Sequence, residues 1–557
     1  MKKRSNTTSA EPLAEDQTSR IARNAGRMGL ATLISRVLGL AREQVFAFLF
    51  GASDAADAFN IAFRIPNLLR DLFAEGAMSA AFVPNFAKAL LRSRQAAFDV
   101  LGATLSILFV GLGFLSLLGI AFSPELVSLY ANSFANVAGK LELTVGLTRA
   151  MFPFFPLVAM AAVTMGALNS LGFYFLPAFA PALFNVASIL CGLVLVPVFQ
   201  HTLPIPPIYA MAVGVVLGGF LQFYVQWWKV RKEGFTYAQL IKTAVQPLAV
   251  PEVKQVLFLL IPGTLGLAAT QLSILINSIY ATSQGTGAVS WLNYAFRFMQ
   301  FPIGIFGVSL AAATLPQIST LLAQNEAKTA GKEIRKSLQM CFAVNFPAAA
   351  GLMALGVPIV QLIFEHGHFT FFDTSQTATA LFWYGFGLPA YSVVKILVPV
   401  FYALGSTKTP VFVSFVAVAL NTFLNHLFLT QFHFPFWALA IATSVTSILN
   451  ATVLLLLVSK KIPAIMHRSL IGAVFIHSVS GLGVALVCYG FIKGFQIISV
   501  WIPLLHSKYI FNTLVLFCTL PAVLFIWAWF GRQFDIEEIR RATNLFSRKL
   551  KRHANNK

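Results

Sequence analysis

The chain is poor in cysteine and poor in acid. Its 557 residues hold 4 cysteines and 20 Asp plus Glu, against 40 Lys plus Arg. Cys191, Cys341, Cys488 and Cys518 each fall in an apolar run, with no CxxC or His/Cys spacing. That excludes a disulfide framework and leaves them as small buried hydrophobes, with no metal site expected. No GxxxxGK[ST] phosphate loop is present, so no ATP coupling and no cofactor are expected within the chain. The first 27 residues lack an apolar core before a small-residue cleavage site, so insertion is expected to be driven by the transmembrane helices themselves. Charge as a whole is scarce, at 11% of residues, while 57% are hydrophobic and the mean hydropathy is +0.75. A soluble protein with a net charge of +20 would need roughly twice the charged fraction, so no nucleic-acid partner is expected. The composition is that of an all-α, polytopic membrane protein.

A span needs about 20 mostly apolar residues. That window places about 14 transmembrane helices, near 28–50, 57–87, 99–122, 147–170, 177–199, 207–228, 255–282, 288–322, 338–364, 377–403, 410–430, 436–458, 470–492 and 509–531. If residues 1–27 are cytoplasmic, 30 of the 40 cations lie in inside segments, including the linker 229–254 and the basic tail 532–557. Only Lys140, Lys493 and Lys508 lie outside, with Arg149 at a helix edge. This bias puts both termini inside.

The halves of the chain repeat. Asn60, Ala62, Phe63 and Arg64 recur as Asn293, Ala295, Phe296 and Arg297, each 233 positions later. Gly172, Pro177 and Phe179 match Gly405, Pro410 and Phe412 at the same offset, and Pro84 matches Pro316 at 232. The repeat predicts two six-helix lobes, 28–228 and 255–458, with two C-terminal helices in 459–531. An even number of spans per repeat gives the lobes one shared topology, as in one class of secondary transporter.

Chemistry concentrates in the first two spans. Arg36, Arg42, Arg64 and Arg70 lie there with Glu43, Asp54, Asp57, Asp71 and Glu75. An arginine at the bilayer centre costs roughly 2.5–3.5 kcal/mol on insertion scales, so several cannot all face lipid. A guanidinium stays charged and binds phosphate or carboxylate with a planar fork, which points to an anionic substrate such as a pyrophosphate. Internal pairing with the neighbouring carboxylates is the competing reading, and Asp54/Asp57 and Asp71/Glu75 have helical spacing. Gly39 and Pro66, beside the charges, are positions where a helix can break and present backbone groups to a ligand. The second lobe's spans hold only Arg297 and Lys395 and no carboxylate, so an amphiphile with a charged head and a greasy tail would suit the pair.

Other groups carry less. Glu365, His366, His368 and Asp373 share an outside loop and read as a solvated or capping set more readily than as a metal site. Asn421 and Asn425 could offer oxygens to a coupling ion, with interhelical hydrogen bonding the plainer role. The tail cations from Arg540 to Arg552 read as an anchor on anionic membrane lipids.

The stretch Ser35-Arg36-Val37-Leu38-Gly39 through Arg42, then Asp57-Ala58-Phe59, Pro66-Asn67-Leu68-Leu69-Arg70, and Ala74-Glu75-Gly76-Ala77 through Phe82-Val83-Pro84, resembles the MurJ (MviN) family of lipid II flippases. The likeness continues through Tyr294-Ala295, Arg297, Phe301-Pro302, Gly307, Leu315-Pro316, Val394-Lys395 and Lys408-Thr409-Pro410. It implies a fourteen-helix member of the multidrug/oligosaccharidyl-lipid/polysaccharide exporter superfamily in the inner membrane of a bacterium. Such proteins move undecaprenyl-pyrophosphate-linked disaccharide pentapeptide, lipid II, from the inner to the outer leaflet by alternating access. The family's functional arginines map onto Arg36, Arg42, Arg70 and Arg297, and its acids onto Asp57 and Glu43; Arg64 and Glu75 complete the candidate substrate-binding set. Helices 13 and 14 are implied to form a groove for the lipid tail. This chain has Glu43 where the family often has Asp, and Phe296 and Gln300 where many members have acids, so a local salt bridge to Arg297 is not expected from either. Two rivals remain at this stage. A drug or other lipid-linked oligosaccharide exporter would share the lobes but not account for so many arginines. A polyprenyl-phosphate enzyme would rest on Asp54/Asp57 alone, with no His or metal spacing beside it.

Overall fold

The computed structural model describes residues 11–72 and 76–533. Backbone amides in hydrocarbon must be satisfied within their own segment, and the chain meets that demand with helices; no strand occurs among the described residues. In order they are α1 (Glu11–Phe50), α2 (Asp54–Arg70), α3 (Gly76–Arg92), α4 (Arg94–Ala121), α5 (Ser123–Ala131), α6 (Lys140–Met151), α7 (Phe154–Ser170), α8 (Phe175–His201), α9 (Tyr209–Lys232) and α10 (Tyr237–Val245). Then follow α11 (Pro251–Thr282), α12 (Ala288–Pro302), α13 (Val308–Ala323), α14 (Ala327–Ala354), α15 (Gly356–Phe364), α16 (Phe371–Ala403), α17 (Lys408–His426), α18 (Ala438–Lys461), α19 (Arg468–Ser499) and α20 (Lys508–Gln533). Among the described residues, 11 helical stretches are long and apolar enough to cross a membrane. Of the remaining predicted spans, 28–50 and 255–282 fall on helix and 57–87 falls on α2 and α3, with 73–75 outside the described residues; the spans 28–50 and 57–87 carry the arginines.

The 233-residue offset reappears in the helix starts. α4 and α14, α5 and α15, and α8 and α17 begin at equivalent positions, since 327 − 94, 356 − 123 and 408 − 175 all give 233. Gly172 and Gly405, repeat mates, both adopt left-handed backbone (φ +88° and +70°) where a helix ends. The same two bonds close each end, Gly172 N to Asn169 O and Phe173 N to Leu168 O, then Gly405 N to Tyr402 O and Ser406 N to Phe401 O. Helical winding also loosens to π geometry at Asp71–Leu72 and again at Ile303–Gly307, positions related by the repeat. Single π turns of this kind are common where a helix serves a site.

The chain forms two compact units. Unit 1 comprises 1–50 and 58–271, and unit 2 comprises 51–57 and 272–557. The core of unit 1 gathers Phe82, Phe86, Phe98, Leu101, Phe155 and Leu168, all buried. That of unit 2 gathers Leu338, Cys341, Leu397, Phe401, Leu454 and Ile465. The predicted linker 229–254 belongs to unit 1. Arg94 bonds Glu233 at 2.7 Å and Arg92 pairs with Glu252, both tying the segment to the α3–α4 turn, while Lys229 bonds Glu233 at 2.6 Å within it. In unit 2, α19 and α20 pack on α14 and α15. Pro347 has no N–H for the Ala343 carbonyl one turn earlier, and the Trp527 indole of α20 fills that vacancy, donating to Ala343 O at 3.1 Å.

Candidate functional site

The arginine-rich first spans resolve into separate groups. In unit 1, Arg42 pairs with its neighbour Glu43, and the Arg42 guanidinium lies 5.2 Å from the centroid of the Phe184 ring. Glu43 is buried, so its charge is held in a protein environment by the adjoining guanidinium. Arg36 is exposed one and a half turns earlier on α1. Between them the helix is gripped from α8, where Asn185 donates to Ser35 O at 3.1 Å and the same amide packs on Gly39. α1 runs through Gly39 without the break that its position among the charges suggested, and a Cβ added there would meet the Asn185 amide at 3.6 Å, an ordinary contact.

The second group sits at the π turn that ends α2. Arg70 grips Asp71 through Nε at 3.0 Å and NH2 at 2.6 Å. Asp71 also accepts from Gln271 at 3.1 Å and Asn67 at 3.4 Å. Its two oxygens are therefore well supplied, and Arg70 is half-buried. Arg64 lies one to two turns earlier on α2. Its charge reaches Tyr130, whose phenol is pushed up by burial and drawn back down by Arg64. Glu75 lies outside the described residues.

Asp57 does something the sequence did not suggest. Its carboxylate is fully buried in unit 2 and accepts from Gly287 N at 2.7 Å, Ser290 N at 3.0 Å and Ser290 Oγ at 2.7 Å. It caps the N-terminus of α12 from another helix, where free N–H groups and the helix dipole both favour an anion. Ser290 stands 233 residues from Asp57, so the two are repeat mates. Asp54 accepts from Thr286 at 2.7 Å, and Tyr294 donates to Gly51 O at 3.2 Å. The loop 51–57 is thereby held by the first turns of α12. Asp54 and Asp57 thus both serve that helix start, and the pairing of arginines with neighbouring acids is seen at Glu43 and Asp71.

In unit 2, Arg297 is exposed on α12, and the preceding Phe296 packs edge-on against Tyr384 (5.5 Å) and Tyr391 (6.3 Å). An aromatic cluster thus occupies the place where an acid was the alternative. Lys395 is exposed on α16. The acids of the 365–373 loop make structural contacts: Asp373 forms a capping box with Thr370 and accepts from Trp291 Nε1 at 2.8 Å. Glu365 bonds Lys508 at 2.9 Å and Thr374 at 2.8 Å. Asn425 bridges Asn277 (2.7 Å) and Asn421 (3.2 Å), which makes the asparagine pair an interhelical ladder.

A multi-pass, all-helical chain built from a repeated helical unit, with arginines set inside its spans, has the architecture of a membrane transporter. The family model "Lipid II flippase MurJ" matches residues 46–512. The chain is 37% identical to the lipid II flippase MurJ of Burkholderia cenocepacia over 400 residues, covering 71% of this chain and 76% of that one. It is 32% identical to the probable lipid II flippase MurJ of Bdellovibrio bacteriovorus over 512 residues, 89% of this chain and 94% of that one. A solved structure of lipid II flippase MurJ in an inward closed conformation superposes with a TM-score of 0.72 at 24% identity, covering 91% of this chain and 99% of that one. An inward-facing multidrug resistance MATE transporter superposes at 0.67 with 15% identity, covering 79% and 98%. The chain belongs to the MurJ family.

Proposed function

We propose that this protein carries lipid II from the inner to the outer leaflet of a bacterial cytoplasmic membrane by alternating access, with fourteen spans and both termini inside. The observation that carries the reading is the family match over most of the chain, joined to arginines kept within membrane-spanning helices. Arg36, Arg42, Arg64 and Arg70 of unit 1 are assigned to the pyrophosphate, and Arg297 of unit 2 is assigned a substrate-binding role of its own. Glu43 and Asp71 are the carboxylates that pair with Arg42 and Arg70. In this assignment a doubly charged pyrophosphate competes with Glu43 and Asp71 for the guanidinium donors, so the acids set how tightly the head is held. Energy is drawn from the membrane potential or an ion gradient. One charge crossing 100 mV is worth about 2.3 kcal/mol, enough to bias such a step.

The test is complementation of a flippase-depleted strain. Arg42→Lys, Arg70→Lys and Arg297→Ala should each fail or grow slowly while reaching the membrane at normal levels, because Lys keeps the charge but not the fork. Full growth by all three would remove the arginines from the substrate site. The same strain separates the rivals: intact precursor accumulating on the inner leaflet fits a flippase, whereas altered precursor chemistry fits an enzyme.

A further inference from the structure

The segment between α9 and α11 carries an apolar stripe that no part of the described protein covers. α10 is a nine-residue helix with a Thr236/Gln239 capping box at its start. One face, with Leu240 and Thr243, packs on α4 and the core of unit 1. The other presents Tyr237 (56% exposed), Ile241 (65%), Val245 (74%) and, in the following 3₁₀ turn, Leu248 (51%). Spacing of four residues puts the first three on one side of the helix.

The surroundings say what covers this stripe. Down α9 runs a line of exposed aromatics, Phe220, Tyr224 and Trp228, of the kind that lies against lipid and ends in an interfacial belt. At its lower end the Lys232 ammonium sits 3.9 Å from the Trp228 ring centre, and the Arg231 guanidinium 3.7 Å from that of Tyr237. Tyr237 also lies 6.2 Å from Trp227, so α10 begins at the level of the belt. The segment 229–254 has five cations, Lys229, Arg231, Lys232, Lys242 and Lys254, against Glu233 and Glu252. Both acids are already bonded to Arg92, Arg94 and Lys229. Lys232 and Lys242 are exposed, which leaves surplus positive charge beside the stripe.

We infer that α10 lies in the headgroup layer of the bilayer, with Tyr237, Ile241, Val245 and Leu248 at the acyl boundary and Lys232 and Lys242 on anionic phospholipid headgroups. An apolar face combined with basic residues is the two-signal arrangement that makes interfacial binding stable. The consequence is a lipid-sensitive brace on the segment that leaves unit 1.

The experiment uses the full-length protein. Lipid retention is measured by native mass spectrometry with phosphatidylglycerol and phosphatidylcholine, for wild type and Lys232→Gln/Lys242→Gln, the basic tail being intact in both. A surface cation is worth about fivefold in affinity for anionic lipid, so the double variant should hold phosphatidylglycerol about 30-fold more weakly and phosphatidylcholine equally well. Equal phosphatidylglycerol retention by both proteins would overturn the inference. In nanodiscs, amide exchange over 237–248 should be slower with phosphatidylglycerol than with phosphatidylcholine, and Ile241→Asn/Val245→Asn should abolish the difference. Protection that ignores the lipid and rises with protein concentration would assign the stripe to a second copy of the chain and overturn the lipid reading.

Discussion

Removing the Asp57 carboxylate should loosen the start of α12 by an amount the geometry fixes. Three donors converge on it in a fully buried setting, two backbone amides of α12 and the Ser290 hydroxyl. Asp57→Ala strands the two amides, each at about 1–3 kcal/mol, while the hydroxyl can turn to another acceptor. Loss of the anion from the helix N-terminus adds up to about 2 kcal/mol in a buried site. The sum is about 4 kcal/mol. Asp57→Asn keeps one acceptor oxygen but turns an amide donor toward donors, for about 2 kcal/mol. Ser290→Ala removes one bond of three, for about 1 kcal/mol. At roughly 2–4 °C per kcal/mol for a unit of this size, purified protein in detergent should melt about 10 °C lower for Asp57→Ala and about 3 °C lower for Ser290→Ala. The double variant sharpens the test. Once the carboxylate is gone the bond between them is no longer there to lose, so Asp57→Ala/Ser290→Ala should lose less than the sum of the two single losses. Additive losses, or an Asp57→Ala melting within about 2 °C of wild type, would refute the cap.

Other outcomes follow from neighbouring contacts. Gly51 has φ +58°, and an added methyl would press on the His368 carbonyl carbon at 2.9 Å, a backbone group that cannot swing away. Gly51→Ala should therefore cost more than about 2 kcal/mol and lower the melting temperature by at least about 5 °C. Trp527→Phe keeps the ring and loses the bond to the Ala343 carbonyl freed by Pro347, so about 1 kcal/mol should go, and faster exchange should appear around Ala343. Glu233 is held below its ordinary 4.5, most of all by its hydrogen bond to Lys229, with burial opposing the shift and Arg94 adding to it. A depressed carboxyl lends stability at neutral pH that disappears as pH falls through the folded value, below 4.5. Limited proteolysis of the segment around Glu233 should accelerate over that range, and Arg94→Gln, which removes part of the depression, should make the acceleration smaller.

The spans were legible because lipid imposes a crude demand, about 20 apolar residues in a row, that any window detects. The repeat was legible through residues such as Arg64 and Arg297, and helices beginning at equivalent offsets bear it out. What the pattern missed is tertiary. Asp57 and Asp54 read as local partners for arginines because helical spacing is the only proximity a sequence displays; the donors they meet, Gly287, Ser290 and Thr286, lie more than 200 residues away. The π turn at Asp71–Leu72 fell inside one predicted span, 57–87, since no residue type there marks the change of winding. The segment 229–254 read as a plain linker. Its helix α10 was hidden by brevity, and its attachment to unit 1 rests on ion pairs such as Arg92 with Glu252, 160 residues apart. Glu43 and Asp71, by contrast, bond the arginines immediately beside them, which made that half of the candidate site readable.

The central claim is tested most directly by reconstituting the purified protein into vesicles containing lipid II and following its leaflet distribution with a membrane-impermeant reagent for the head group. Wild-type protein should bring lipid II to the accessible leaflet faster than protein-free vesicles, and Arg42→Lys and Arg70→Lys should fall back toward the protein-free rate. Redistribution no faster than in empty vesicles, under an imposed membrane potential or ion gradient of either sign, would contradict the account.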